Sequence, residues 1–229
     1  MSEFHVALDT SQGFSLAIAD KNGKILLKEN FEAVGRESDR LLLPWVMRQL
    51  EAVGTTLKEV GRWTVGIGPG SFAGLRCGIA MVKGVALVSG AAMRGVPSAY
   101  ALAAQAPDEA RSVGVLHDGR CGELLFERFV READGLLVMQ DEPEPILPAS
   151  LLQQSCKCDC YLTAQEAVIG MLPDGVSATL VNGVPASALV AAPEALYPWP
   201  ADWDGCEKST APLYVRQAVF VKPAVLRKS

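Results

Sequence analysis

Two short stretches of this 229-residue chain could handle an anion. Gly68-Pro69-Gly70-Ser71 separates a predicted strand from a long apolar run that begins at Phe72. That position is a helix N-terminus, where free backbone N–H groups and the helix dipole favour phosphate. Asp9-Thr10-Ser11 closes an apolar strand and could hold a phosphate or a metal-bound water. It could equally form an Asx-type turn closing a hairpin. Asp9, Thr10, Ser11, Gly68, Gly70 and Ser71 are therefore the candidate nucleotide or phosphate loop. Neither stretch is a complete signature. No Gly-Lys-Ser/Thr follows the glycines, their spacing is not that of a dinucleotide fingerprint, and no N-terminal βαβ unit frames them. A tight turn feeding a closely packed helix is the simpler account.

Metal and nucleophile chemistry find less support. The chain has two histidines, His5 and His117, at distant positions. There is no His-x-x-x-His and no His-Glu-x-x-His, which excludes a zinc or iron hydrolase of that type. Cys156, Cys158 and Cys160 are spaced by two and would share one face if they lay on a strand; a zinc knuckle needs wider spacing and a fourth ligand. No Gly-x-Ser-x-Gly elbow occurs, and nothing supports His117 with Asp118 or with Cys121 as a catalytic pair. No cofactor is expected.

The elements that must position these residues are read from periodicity. Residues 4–10, 14–20 and 24–31 read as an antiparallel meander, with an Asn22-Gly23 turn. Ser38 reads as an N-cap for a helix over 39–53, in which Pro44 marks either the first turn or a kink. A strand is predicted over 63–68 and a helix over 72–89. That helix carries only Arg76 and Lys83 as charges and is apolar nearly all round. Gly74, Gly78 and Gly84 leave room on it for another backbone, and each helical glycine costs up to ~1 kcal/mol against alanine. An extended link over 94–98 and a helix over 99–106 end the first block. Strands come next at 112–118, 122–130 and 136–139, then an acidic Pro-rich loop over 141–148 and a short helix near Ser150. Strands at 158–163 and 178–181, a helix over 185–197 and an apolar-basic tail over 214–221 complete the chain.

This order predicts an α/β protein with two lobes, 1–106 and a smaller 107–229. Apolar residues are 49% and charged residues 21%, which excludes a disordered chain. The formal net charge of −5 lacks the global field of a free-standing nucleic-acid binder. No run of about 18 apolar residues suits a bilayer, so no membrane partner is expected, and the cytoplasm is the expected compartment. The six cysteines fit free thiols. The helices 39–53 and 72–89 carry more apolar surface than one lobe needs, which points to a partner and ranks a binding protein above an enzyme.

Several motifs then resemble one family. They are Ala7-Leu8-Asp9-Thr10-Ser11, the Ser38…Leu42…Pro44 helix, Gly68-Pro69-Gly70-Ser71-Phe72-Ala73-Gly74-Leu75-Arg76, Lys83-Gly84, Asp118-Gly119-Arg120-Cys121-Gly122-Glu123 and Pro212-Leu213-Tyr214-Val215-Arg216. Together they resemble the bacterial TsaB, or YeaZ, family. The resemblance implies an actin-like ATPase fold, of the sugar-kinase, Hsp70 and actin class, with a reduced second lobe. It implies a non-catalytic part in making N6-threonylcarbamoyladenosine at position 37 of tRNAs that read codons beginning with A. The implied partners are a TsaD-like threonylcarbamoyltransferase, a TsaE-like ATPase through the complex, a second copy when alone, and tRNA indirectly. The metal-binding histidines of TsaD have no counterpart here. Carried over by position, the partner surface comprises Leu42, Trp45, Val46, Leu50, Gly74, Arg76, Cys77, Ala80, Met81 and Gly84. Glu37 and Ala73 depart from the family pattern. The alternatives are an actin-like ATP-dependent phosphotransferase and a glycoprotease-type metallopeptidase.

Overall fold

The computed structural model describes residues 4–31 and 38–213. The meander forms as its alternation predicts, with β1 (Phe4–Asp9), β2 (Phe14–Asp20) and β3 (Ile25–Phe31). Asp20 Oδ1 accepts from the Asn22 and Lys24 amides, and Gly23 takes the positive φ that the turn requires. Next come α1 (Ser38–Ala52), β4 (Val60–Gly66), α2 (Phe72–Ser89), β5 (Ala92–Val96) and α3 (Ser98–Ala103). Pro44 lies inside α1 on its exposed side. The capping hydroxyl expected of Ser38, the departure at Glu37 and the tail from Tyr214 lie outside the described residues and side chains.

The first sheet has the order β3-β2-β1-β4-β5. β4 runs parallel to β1 and to β5. A parallel neighbour needs a crossover, which α2 supplies between β4 and β5. Alternation sends side chains to two faces. One face carries Val6, Leu8, Leu16, Ile18, Trp63, Val65 and Met93, and α1 and α2 cover it. The other carries the small Ala7, Ala17 and Ala19, which lets helices approach closely. By length and composition α2 could cross a bilayer, with a mean hydropathy of 1.5. Here it is a layer of the lobe, burying Leu75, Gly78, Ile79, Val82 and Ala86 along one stripe.

The second sheet begins with the hairpin β6 (Ser112–Arg120) and β7 (Glu123–Arg131). Two short strands, β8 (Leu137–Met139) and β9 (Glu144–Ile146), pair antiparallel with β7. Then β10 (Cys160–Thr163) runs parallel to β6, and after α4 (Glu166–Ile169) β11 (Thr179–Leu180) runs parallel to β10. The order β8-β7-β6-β10-β11 repeats that of the first sheet, strand direction included. Two 3₁₀ turns, Pro148–Leu152 and Gln154–Cys156, stand where the first lobe has α1, and α4 stands where it has α2. The chain then returns: α5 (Ala186–Val190) packs on β1 and β2, and α6 (Trp203–Ser209) packs on β5. This is the expected actin-like α/β architecture with a reduced second lobe.

Some local expectations change. The link at 94–98 is mostly strand, because β4 offers β5 a parallel edge. The helix predicted over 185–197 is only α5; Pro193 has no N–H to continue it and restricts Ala192 before it. The loop 141–148 contributes β9 at the sheet's edge, where Pro145 is tolerated. The helix expected near Ser150 is a 3₁₀ turn, and α4 and α6 are additional.

Candidate functional site

The structure brings the six candidate loop residues together. Asp9 ends β1 and is buried, with a carboxylate bonded on both oxygens. Oδ1 accepts from the Ser11 amide at 2.8 Å and from Ser11 Oγ at 2.5 Å. Oδ2 accepts from Ser98 Oγ at 2.5 Å. Ser98 Oγ also accepts from the Gly68 amide at 3.1 Å, so one hydroxyl ties the glycine loop to Asp9. Burial raises the Asp9 pKa above the usual carboxylate value, and the Ser11 and Ser98 hydrogen bonds partly oppose it. Thr10 Oγ1 donates to the Gly74 carbonyl at 2.8 Å, and the Ser71 amide donates to the Ser11 carbonyl at 2.9 Å. Ser71 caps α2 by accepting from the Gly74 amide.

Four glycines spaced by four explain how the corner fits. A Cβ at Gly66 would collide with the Asp9 carboxylate, one at Gly70 with Ser11, one at Gly74 with the Thr10 carbonyl, and one at Gly78 with the Thr10 side chain. The helical glycines 74 and 78 therefore serve close approach, as expected, and the approaching backbone belongs to this same chain. Gly84 differs: nothing lies within 4 Å of its missing Cβ. The loop is thus packed by the chain's own atoms, with the Asp9-Thr10-Ser11 corner seated on the first turns of α2.

The other expected surface needs correction. Leu42, Trp45, Val46 and Leu50 are core residues, each at most 4% exposed. They hold α1 to the first sheet and present nothing to a partner. The large apolar residues that α1 exposes are Leu41, Leu43 and Met47, which flank the buried stripe. Gly74 is half-buried and committed to Thr10. On α2, Arg76, Ala80 and Gly84 are exposed, and Cys77 and Met81 are half-buried. Their stripe is flanked by exposed Phe72, Leu87 and Val88. The Arg76 guanidinium lies 3.9 Å from the centre of the Phe72 ring. At helical spacing the helix predicted over 39–53 carries two apolar stripes, Leu42–Val46–Leu50–Val53 and Leu43–Met47, and periodicity alone does not say which one meets the sheet.

The remaining chemical candidates are apart from this corner. His5 is bonded to Thr64 Oγ1 at 2.9 Å on the other face of the first sheet. His117 and Glu127 lie buried together in the second lobe, 3.6 Å apart. That is an ion-pair distance, yet burial pushes His117 down to about 4 and Glu127 up to about 8. Both are therefore uncharged near neutral pH, and neither side chain has a hydrogen-bond partner among the described residues. The sequence marked His117 only as a histidine and did not single out Glu127. Among the described residues no group of three or more His, Cys, Asp and Glu could hold a metal ion. Cys156 is buried, and Cys158 and Cys160 are half-buried free thiols.

Comparison with known proteins matches this geometry to relatives. Residues 32–139 match a family model described as TsaD, tRNA N6-adenosine threonylcarbamoyltransferase. A protein of Escherichia coli K12 named tRNA threonylcarbamoyladenosine biosynthesis protein TsaB is 32% identical over 127 residues, 55% of this chain and 54% of its own length. The Haemophilus influenzae protein of the same name is 33% identical over 132 residues, covering 56% and 54%. Over that stretch the chain is similar to these TsaB proteins. The match spans about half the length of each TsaB protein. The fold likeness reaches further: the structure of YeaZ from Pseudomonas aeruginosa superposes with a TM-score of 0.69, covering 93% of this chain and 99% of that one, at 22% identity. The corner, the glycine loop, α1 and α2 all precede residue 90 of this chain.

Proposed function

We propose that this chain is a non-catalytic scaffold subunit in the synthesis of N6-threonylcarbamoyladenosine on tRNA. It pairs with a TsaD-like threonylcarbamoyltransferase through the outer face of α2 and the neighbouring exposed side of α1. The observation that carries this reading is the unfilled apolar stripe of α2. Ala80 and Gly84 form a shallow strip between Phe72, Leu87 and Val88, all exposed on a helix whose inner face is already buried. Small residues on such a stripe let a partner helix come close, and large ones at its ends bury area when it does. Cys77 and Met81 line the border of the strip. The same face serves a second copy when the chain is alone, and a TsaE-like ATPase and tRNA join through the complex. The working compartment is the cytoplasm, and the lobes divide at Ala106.

The filled loop supports the non-catalytic part of this reading. Polar groups of Asp9, Thr10, Ser11, Gly68 and Ser71 are spent on one another and on Gly74 and Ser98, and Ser11 fills the space beside Gly70. The chain's two histidines, His5 on β1 and His117 on β6, lie in different sheets and form no paired-histidine metal centre. Reconstitution tests the proposal: transfer of the threonylcarbamoyl group to tRNA by the TsaD-like protein of the same genome is measured with and without this chain. Dependence on this chain, together with no ATP turnover by the chain alone, is the expected result. Turnover of ATP by the isolated chain would favour the phosphotransferase alternative instead.

A further inference from the structure

On the α5 side of the first sheet, away from the glycine loop, lies a cavity of about 720 Å³. Its chemistry comes from register. His5 pairs with Arg62 across β1 and β4, and Thr64 pairs with Arg94 across β4 and β5. Parallel register partners share a face, so His5, Arg62, Thr64 and Arg94 point the same way. Trp199, beyond α5, closes one wall.

Arg94 is the unusual member. It is 2% exposed, and a charge so buried ordinarily has a carboxylate partner. Here its acceptors are all neutral: Thr64 Oγ1 at 3.1 Å, the Tyr197 carbonyl at 2.6 Å and the Ala192 carbonyl at 2.9 Å. Three donors are thus used of the five that a guanidinium carries. The Trp199 ring packs 4.5 Å from it and 5.3 Å from the Arg62 guanidinium. Among the described residues two carboxylates line the cavity, and both already have partners. Glu194 accepts from Trp199 Nε1 at 2.9 Å and faces Arg62 at 3.7 Å. Asp20 accepts the two turn amides beside it. Lys21 adds a third cation to the lining. Burial and the two arginines hold His5 neutral, with a pKa of about 3, so it adds no compensating charge. Among the described residues three cations face two occupied anions; Glu194 favours the Arg94 charge from a distance, but no carboxylate is hydrogen-bonded to it.

We infer that this cavity is an oxyanion site, taking a phosphate or carboxylate group of a small molecule between Arg94 on its floor and Arg62 at its mouth. A planar guanidinium fork matches either group, with charge-assisted hydrogen bonds. The site stands independently of the pairing proposed above.

The test uses the full chain at fixed ionic strength, with chloride as the balancing anion. Inorganic phosphate and, separately, citrate are titrated while the Trp199 indole N–H is followed by NMR, assigned with Trp199→Phe. The expected result is a saturable shift at Trp199 that leaves Trp45 and Trp63, on the opposite face, unmoved. Saturation by phosphate alone assigns a phosphate group, and by citrate alone a carboxylate. Arg62→Ala should weaken binding several-fold; Arg62 is exposed, so an unchanged melting temperature shows that the fold survives. No saturable shift with either anion, or equal affinity in the Arg62→Ala variant, would overturn the inference.

Discussion

The hairpin corners after Asp9 and Asp118 hold the same place in the two sheets and start alike. Each aspartate accepts the amide of the residue two positions on, Ser11 at 2.8 Å and Arg120 at 2.7 Å. From there they part. The first corner is buried beneath α2 and bonded to Ser98, Gly74 and Ser71. The second is exposed, with Arg120 and Cys121 at φ 63° and 54° ahead of Gly122. The same Asx turn thus becomes part of a core in one lobe and an exposed tip in the other, tied to the segment after β10 through Gln165 Oε1, which accepts from the Asp118 amide at 2.7 Å. The difference lies in the segments that come after β4 and β10, the strands in matching places in the two sheets. After β4 a glycine loop and an 18-residue helix bring Gly70, Gly74 and Gly78 onto the corner. After β10 the helix α4 has four residues.

Changes to the first lobe's interior should therefore have the largest effects. Val46→Asp places a charge in a side-chain position with no exposure. It should cost about 3–5 kcal/mol, seen as loss of folded protein by circular dichroism. A fold that survives Val46→Asp would mean that α1 does not pack as described. Gly78→Leu, which meets the Thr10 side chain, should cost about 3 kcal/mol by overpacking. At the second corner Gly122→Asn has open space, and asparagine tolerates the left-handed backbone. Its cost should stay below about 1 kcal/mol, and equal urea midpoints for the two variants would erase the contrast between the corners.

The second lobe should reveal itself through pH. Native Glu127 keeps its proton up to about 8, while the unfolded residue releases it near 4.5. Its contribution is full below that lower value and is lost as pH rises. His117 runs the other way: the unfolded residue takes a proton below 6.5 and the native one only near 4, so its contribution is full above 6.5 and is lost as pH falls. Between 4.5 and 6.5 the two cancel. Between 6.5 and 8 Glu127 acts alone, and stability should fall by about 2 kcal/mol. Denaturant titrations across that range should show the slope in the wild type and not in Glu127→Gln. A slope that persists in the variant would assign it to other groups.

The smallest effect concerns the outer face of α2. Gly84→Ala fills open space on a helix and should stabilise the chain by up to about 1 kcal/mol. The same substitution at Gly78 should destabilise it. Thermal melts of the two variants moving in the same direction would contradict the distinction between the buried and outward glycines.

How much of this was legible in the sequence depends on the range of the interaction. Alternation in residues 4–31 gave the meander, and the long apolar run gave α2, because both signals are local. Gly74 and Gly78 announced a close approach without saying to what, since Thr10 is distant in sequence. The choice between the Leu42–Val46–Leu50 stripe and the Leu43–Met47 stripe of α1 was not local either. It depends on which way the sheet faces, and there the partner surface was misplaced. The doubled topology left no sequence repeat, because strand order is set by pairing rather than by particular residues. The Arg94 pocket escaped notice because its members come from β1, β4, β5 and the segment after α5.

The most direct test of the central claim is light scattering on a sizing column, with this protein alone and then mixed with the TsaD-like protein of the same genome. Wild type and Ala80→Asp are compared, since Ala80 is exposed and the variant should melt as the wild type does. The account predicts that wild type alone runs as a homodimer and converts to a mixed complex, while Ala80→Asp stays a folded monomer in both. A folded Ala80→Asp variant that pairs as tightly as wild type would contradict the placement of the partner surface on α2.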